Sequence, residues 1–256
     1  MGKKDSGLEA TTTSFKILRA VHNTQPATLT DIADSLDLPK STVYYHLDTL
    51  HDLGYLEKEA DEYLLSLRFL ELGESARQQL PIYEVGKPEV EKLAEETDTN
   101  GYLMVEQNDV GVIAYLRKEN DIHLGDSVGQ PVHLTSTAMG KAFLAHLPDD
   151  RVREILDHHG MPEITTNSIT RREDLLAELE EVREQGYAYN RGEQVEGLYA
   201  IGAPVLGPDD HVYGAISISA PQQHMSDEML DGTYPEKVLS TANIIELKLV
   251  SRVADQ

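Results

Sequence analysis

Hydrophobic and polar positions alternate in two different periods along the chain, and the sharpest helical pattern lies between Thr28 and Leu53. Leu29, Ile32, Ala33 and Leu36 recur at helical spacing, and Thr28 or Thr30 can cap that helix by accepting from first-turn amides. Leu38-Pro39 breaks the pattern, and Pro39 suits the first turn of a new helix because no amide donor is needed there. In this second helix Val43, Leu47, Leu50 and Leu53 fall on one face, leaving Lys40, Ser41, Thr42, Tyr44, Tyr45 and His46 largely on the others. Ahead of this pair, Thr12-Thr13-Ser14 can cap a helix carrying Phe15, Ile17, Leu18 and Val21, ended by Asn23-Thr24-Gln25-Pro26. After it, Gly54 suits a helix C-terminus. Tyr55–Lys58 and Glu62–Leu65 then read as two short strands. Three helices followed by a hairpin predict a winged helix-turn-helix over residues 12–68, behind a polar arm at 1–11. An ordinary helical hairpin is the plainer reading of the same pattern.

Beyond the wing, Leu67, Leu70, Leu72, Ala76 and Leu80 return to helical spacing, predicting a linker helix over residues 69–86. Pro88 is expected to open a further helix, stopped by Asp98 to Gly101. Tyr102–Gln107 and Val110–Arg117 flank Asn108-Asp109, a hairpin signal. Val128–Thr135 reads as extended, and Ser136 or Thr137 caps a helix to about His146. Further helices are expected over Asp149–His159 and Arg171–Gln185. Strands over Tyr199–Leu206 and Val212–Ala220, joined by Gly207-Pro208-Asp209-Asp210, precede a last helix opened by Pro235. Hairpins with segregated helices make residues 87–256 an α+β domain with an antiparallel sheet.

The 256 residues, 40% of them hydrophobic, suffice for two domains with substantial cores. No run of about 18 apolar residues exists, so no membrane span is expected. No secretory leader is evident, and the expected location is cytoplasmic. Met1-Gly2-Lys3-Lys4-Asp5-Ser6 matches an acylation pattern formally, but a short polar arm is the simpler meaning. Zero cysteines exclude disulfides and thiolate chemistry.

Charge complicates the picture. The net charge is −23, and even residues 1–80 hold 8 Lys+Arg against 13 Asp+Glu. A DNA-binding protein ordinarily shows a basic footprint. Two explanations stay open: the winged helix contacts protein instead of DNA, or the protein works in a high-salt cytoplasm, where repulsion is screened within about 3 Å at 1 M salt.

LTDIADSLDLPKSTVYYHLDTLHDLGYLEK, GQPVHLTSTAMGKAFLAHL, EEVREQGYAYNRGE, GLYAIGAPV and VYGAISISAP follow one another in an order and spacing that resemble the IclR family of transcriptional regulators over nearly the full length. The resemblance, with the acidic composition, suggests a halophilic archaeal source. It implies a winged helix that binds double-stranded promoter DNA and a GAF/PAS-like effector-binding domain. It also implies self-association as a dimer or tetramer, and a small organic acid or sugar derivative as effector, in control of a catabolic pathway. No cofactor is implied.

Two stretches could hold the effector. The first is Thr137, Ala138 and Met139, where a helix start offers free amides to an anion; a capped helix with no ligand is the alternative. Gly140-Lys141 lacks the pattern of a phosphate loop, and Lys141 is expected at the surface. The second combines Asn190, Glu193, Tyr199 and Ala200 with Ser217 and Ser219. The two serines lie on one strand face, with Ile216 and Ile218 on the other; a solvent-facing serine pair is the alternative. By the resemblance, Asn190 stands where aspartate is usual and Ala200 where cysteine is usual. DNA contact falls to Lys40, Ser41, Thr42, Tyr44, Tyr45 and His46.

Enzymatic chemistry finds no footing. Gly73-Glu74-Ser75-Ala76-Arg77 lacks the last glycine of a nucleophile elbow. His158-His159 adjoin at a helix end, and His46, His51, His123 and His133 lack partners at metal-ligand spacing. No metal or catalytic residue is assigned.

Overall fold

The computed structural model describes residues 8–118, 126–208, 211–226 and 229–254. The acylation-like start, His123 and the Asp209-Asp210 turn lie outside the described residues. The chain divides into two compact units, Met1–Ala76 and Arg77–Gln256.

In the first unit, helix α1 (Glu9–Thr24) precedes a short strand β1 (Ala27–Thr28), helices α2 (Leu29–Leu36) and α3 (Lys40–Asp52), and a hairpin of β2 (Leu56–Glu59) and β3 (Glu62–Leu65). Ile17, Val21, Ile32, Val43, Leu47, Leu56 and Tyr63 form its core. The Thr28 hydroxyl accepts from the Asp31 amide at 3.2 Å while the Asp31 carboxylate accepts from the Thr28 amide at 3.0 Å, a reciprocal cap that starts α2. Asp37, in the left-handed region at φ 50°, ends it. β1 is an addition to the expected elements. It pairs with β3, so the wing is a three-stranded sheet of order β1-β3-β2.

Two expectations fail here. α1 begins at Glu9, and the hydroxyls of Thr12 and Ser14 turn back to the carbonyls of Leu8 and Ala10 inside the helix instead of capping it. Leu53 is 54% exposed, because α3 stops at Asp52 and Leu53 already belongs to the turn closed by Gly54 at φ 76°.

Helix α4 (Arg68–Gln78) follows the wing, and α5 (Pro81–Thr97) opens the second unit's fold. Pro88 does not start a helix; it sits inside α5, where Pro81 holds the first position. A proline here removes one backbone bond. Ile82 and Gly86 before it, and Val90, Leu93 and Ala94 after it, are all buried, so packing keeps the helix continuous.

Six strands form one antiparallel sheet: β4 (Asn100–Gln107), β5 (Val110–Arg117), β6 (Pro131–Val132), β7 (Ala188–Arg191), β8 (Leu198–Leu206) and β9 (Val212–Pro221), in the order β6-β5-β4-β9-β8-β7. Asn108 and Asp109, at φ 55° and 69°, make the tight β4–β5 turn. Of the extended stretch expected over 128–135, only Pro131–Val132 pairs.

The sheet is covered on both faces. Leu103, Val105, Ile201, Ala203, Ile216 and Ile218 pack against α5 and α9 (Tyr234–Ala254). Met104, Ile113 and Ala215 pack against α6 (Ala138–Ala145), α7 (Asp149–His159) and α8 (Arg172–Gln185). Among the described residues, no helix is long and apolar enough to cross a membrane.

The reciprocal cap predicts that Thr28→Ala lowers the stability of the full chain by about 1 kcal/mol in urea denaturation. The Thr28 hydroxyl and amide hold the Asp31 carboxyl below its ordinary value of 3.8. Its stabilising share is therefore complete above that value and is lost as pH falls through the lowered one.

Candidate functional site

On α3, Val43, Leu47 and Leu50 face the core, which turns Tyr44 and Tyr45 outward at 47% and 70% exposure. Their rings meet edge to face with centroids 5.7 Å apart. Pro39 precedes α3 without a side-chain acceptor, so no side chain caps the first-turn amides. Lys40 Nζ donates to Thr30 Oγ1 at 3.2 Å, which lays its charge along the α2–α3 turn. Ser41 is exposed and Thr42 half-buried. His46 differs from its neighbours: half-buried, it shares a 2.8 Å hydrogen bond with Ser14 Oγ and is tied to α1. Lys58 on β2 lies over the Tyr63 ring at 5.2 Å, and the Tyr63 hydroxyl raises the Lys58 pKa.

In the second unit, strand register gathers distant residues into rows. Asn190, Ala200, Ser219 and Asn100 pair in sequence across β7, β8, β9 and β4. Gly202, Ser217 and Tyr102 pair two residues along. Such cross-strand neighbours share a face. Over this part of the sheet sits the start of α6, where the Thr137 hydroxyl accepts from the Gly140 amide at 3.0 Å. Gly202 permits the approach: a Cβ there would stand 2.8 Å from Met139 N and the Ala138 carbonyl carbon.

Between helix start and sheet lies a cavity of about 50 Å³, room for only a few water-sized groups. Thr137, Ala138, Met139, Asn190, Ala200, Ser217 and Ser219 all border it. Ser217 and Ser219 are 3% and 4% exposed, while Ile216 and Ile218 enter the opposite core.

Asn190 does double service at the rim. Its Nδ2 donates to the Ser136 carbonyl, and its Oδ1 accepts from the amides of Gly192 and Glu193 at 3.0 Å.

The structure places Tyr199 elsewhere. Strand alternation sends Leu198 and Ala200 toward the cavity and Tyr199 to the other face, where it packs with the α5–α9 core. Glu193 is buried but does not border the cavity either, because both its carboxylate oxygens accept from Lys141 Nζ at 2.7 Å. Tyr102 and Asp126 were not singled out from the sequence. The Tyr102 hydroxyl donates to Asp126 Oδ2 at 2.9 Å and accepts from Ser219 Oγ at 3.4 Å. Burial pushes the Tyr102 pKa far above the ordinary tyrosine value. Only the β4–β9 register could have revealed Tyr102, and no periodic signal marks Asp126.

Lys141 is the largest departure from expectation. It is wholly buried, not at the surface. One turn after Thr137, it points from α6 toward α8 and binds Glu178 at 2.5 Å as well as Glu193. Burial raises the Glu193 pKa, and the lysine opposes that shift. Gly140 beside it cannot carry a side chain, since a Cβ would fall 2.2 Å from the Leu134 carbonyl oxygen.

The histidine pair at the end of α7 is divided in its contacts: His158 meets Asp109 at 3.1 Å. That bond and Arg151 hold the Asp109 carboxyl below its usual range. No group of three or more His, Asp or Glu suited to a metal occurs among the described residues.

Removing one partner of a buried ion pair costs about 3–5 kcal/mol. Lys141→Met is expected to lose an amount in that range in chemical denaturation. Pairing it with Glu193→Gln should recover part, because one stranded charge is then gone.

Two family models cover the chain between them: the IclR helix-turn-helix domain over residues 11–60 and the bacterial transcriptional regulator IclR C-terminal domain over residues 74–247. The chain is 30% identical to the "Probable HTH-type transcriptional regulator ArcR" of Halobacterium salinarum, across 92% of each. It is 33% identical to the HTH-type transcriptional regulator KdgR of Escherichia coli, across 90% of this chain and 89% of that one. Among solved structures, a regulator from Rhodococcus sp. RHA1 superposes with a TM-score of 0.83 at 28% identity, covering 96% of this chain and all of that one. With a helix-turn-helix unit followed by a helix-covered antiparallel sheet domain, the chain belongs to the IclR family of transcriptional regulators, not to a family of enzymes.

Proposed function

We propose that α3 enters the major groove of promoter DNA and that the cavity beneath α6 holds the effector that modulates operator affinity. The observation that carries this reading is the outward Tyr44–Tyr45 pair on a helix anchored by Val43, Leu47 and Leu50 and left uncapped at its start. Ser41, Thr42, Tyr44 and Tyr45 meet base edges, while Lys40 and the first-turn amides meet phosphate. His46 serves by holding α3 against α1 and contributes to the groove only indirectly.

The working arrangement divides the chain into an arm at 1–11, a DNA-binding part at 12–68, a linker at 69–86 and an effector part at 87–256. Two copies present paired half-sites about one DNA turn apart, or a multiple of it. Effector binding alters the spacing of the paired helices and so the affinity. Thr137, Ala138, Met139, Asn190, Ala200, Ser217 and Ser219 line the effector site, and Glu193 supports it through Lys141. An organic acid or a sugar derivative, in catabolic control, is the effector class considered.

The Halobacterium relative and the net charge of −23 support a halophilic archaeal source with a salt-rich cytoplasm. The same acidity favours a second reading, a metabolite sensor whose winged helix contacts protein.

Mobility shift of the chain's own upstream DNA in molar potassium chloride separates the two readings. The DNA reading expects a retained complex, and no retention at any salt rejects it. With few cations on α3 and the wing, the salt slope should correspond to roughly 2–4 phosphates per half-site. A slope as steep as that of a strongly basic repressor would contradict the assignment of contacts. Ser217→Ala combined with Ser219→Ala should abolish effector-dependent release while leaving DNA retention unchanged.

A further inference from the structure

The cavity beneath the start of α6 measures about 50 Å³, so a ligand of more than a few heavy atoms enters only if part of the wall moves. Most of that wall is fixed. Tyr102, Ser217 and Ser219 belong to the paired central strands β4 and β9. The start of α6 lies against Gly202 and is tied through Lys141 to Glu178 and Glu193. The turn between β7 and β8, which carries Gln194 onto the rim, is built differently.

The base of this turn is densely bonded. Asn190 Oδ1 accepts from the Gly192 and Glu193 amides, and the Glu193 carboxylate holds Lys141. Thr165 Oγ1 donates to the Gly192 carbonyl at 2.7 Å, and Ser168 Oγ to the Glu193 carbonyl at 3.0 Å. The far end is fixed as well, because the Gly197 carbonyl accepts from the Gln222 amide at 2.8 Å. Between these ends run Gln194, Val195 and Glu196. Val195 and Glu196 are exposed, and Glu196 meets only the Thr166 hydroxyl, at 3.3 Å on the surface. Gln194 is half-buried, and its Oε1 accepts from Ser136 Oγ at 2.6 Å. Among the described residues, that is the side-chain bond that ties the three-residue span to the cavity rim. Glycines at positive φ flank the span, Gly192 at 86° and Gly197 at 75°. A Cβ on Gly192 would stand 2.9 Å from Asn167 Nδ2, whereas nothing lies within 4 Å of one on Gly197. One end is therefore packed and the other has room to turn.

We propose that Gln194–Glu196 is a door over the cavity, latched by the Gln194–Ser136 hydrogen bond and swung between Glu193 and Gly197. Losing the latch moves Gln194 off the rim while the base and the far end stay bonded. The latch is weak by construction, since one side-chain hydrogen bond shifts an opening equilibrium by about two- to tenfold. The door therefore opens by thermal motion and closes again over what has entered. That it admits an effector rests on the reading of the cavity as the effector site; that it opens does not.

The sequence holds no cysteine, so a single introduced thiol reports access directly. Ser217→Cys places it in the cavity, and Ala203→Cys places a control in the core on the opposite face of the sheet, where Ala203 is fully buried. Each full chain is treated with iodoacetamide in molar potassium chloride, and alkylation is timed by intact mass. Ser217→Cys should react at least about tenfold more slowly than the same thiol in urea. Adding Gln194→Ala or Ser136→Ala should speed it by about two- to tenfold, and the two together no more than either alone. Gln194→Glu, which keeps an acceptor for Ser136 Oγ, should leave it slow. Ala203→Cys should stay unreactive in every background. A Ser217→Cys thiol as reactive as the unfolded one overturns the door, as does a rate that ignores both latch variants. Additive effects of the two variants, or a Gln194→Glu rate as fast as that of Gln194→Ala, overturn the latch. A matching rise at Ala203→Cys reads as general loosening and overturns both. Ser219→Cys, at a residue bordering the same cavity, replaces Ser217→Cys if that variant does not fold. No effector enters this experiment, so its failure removes the door and leaves the effector reading to the double-serine release experiment.

Discussion

A lysine ammonium held wholly out of water is tolerable only if opposite charge surrounds it. Lys141 meets this demand with Glu193 from the bend after β7 and Glu178 from α8. Three segments distant in sequence are thereby fixed to one nitrogen. The start of α6, one turn away, forms one wall of the cavity, and the bend that carries Glu193 also carries Gln194 and is bonded by Asn190 at the end of β7, both on the cavity rim. The position of the cavity walls thus follows from an ion cluster that does not itself border the cavity.

Much of this was legible in the chain. The 3.6-residue spacing of Leu29, Ile32, Ala33 and Leu36, and of Val43, Leu47 and Leu50 though not Leu53, reports a buried helix face, and of the two cap candidates, Thr28 and Thr30, the structure uses Thr28. Alternation along β9 correctly separated Ser217 and Ser219 from Ile216 and Ile218. The misses share a cause. Residue type alone makes Pro88 a helix starter and Lys141 a surface charge, and tertiary packing overrides both. Adjacency groups Tyr199 with Ala200, although neighbours on a strand point apart. Tyr102 and Asp126 became visible only through strand register and a loop path, which no local pattern encodes.

Helix α3 achieves exposure without much charge. Its aromatic pair is held outward by three buried aliphatics, and its nearest cations are partly engaged: Lys40 with Thr30, Lys58 with the Tyr63 ring. In the proposed DNA-bound arrangement, recognition by such a surface leans on hydroxyls, ring edges and main-chain amides more than on counterion release. That balance suits a medium in which long-range attraction is already screened.

Strand β9 divides its labour by residue parity. Odd positions 217 and 219 border the cavity, and even positions 216 and 218 fill the opposite core. The register of the strand is set by its aliphatic half, so the hydroxyl half can be exchanged without disturbing the sheet. If the proposed effector site is right, ligand preference and foldedness are inherited on separate letters of the same ten-residue segment. Descendants of one ancestor can drift from one metabolite to another while the scaffold stays put.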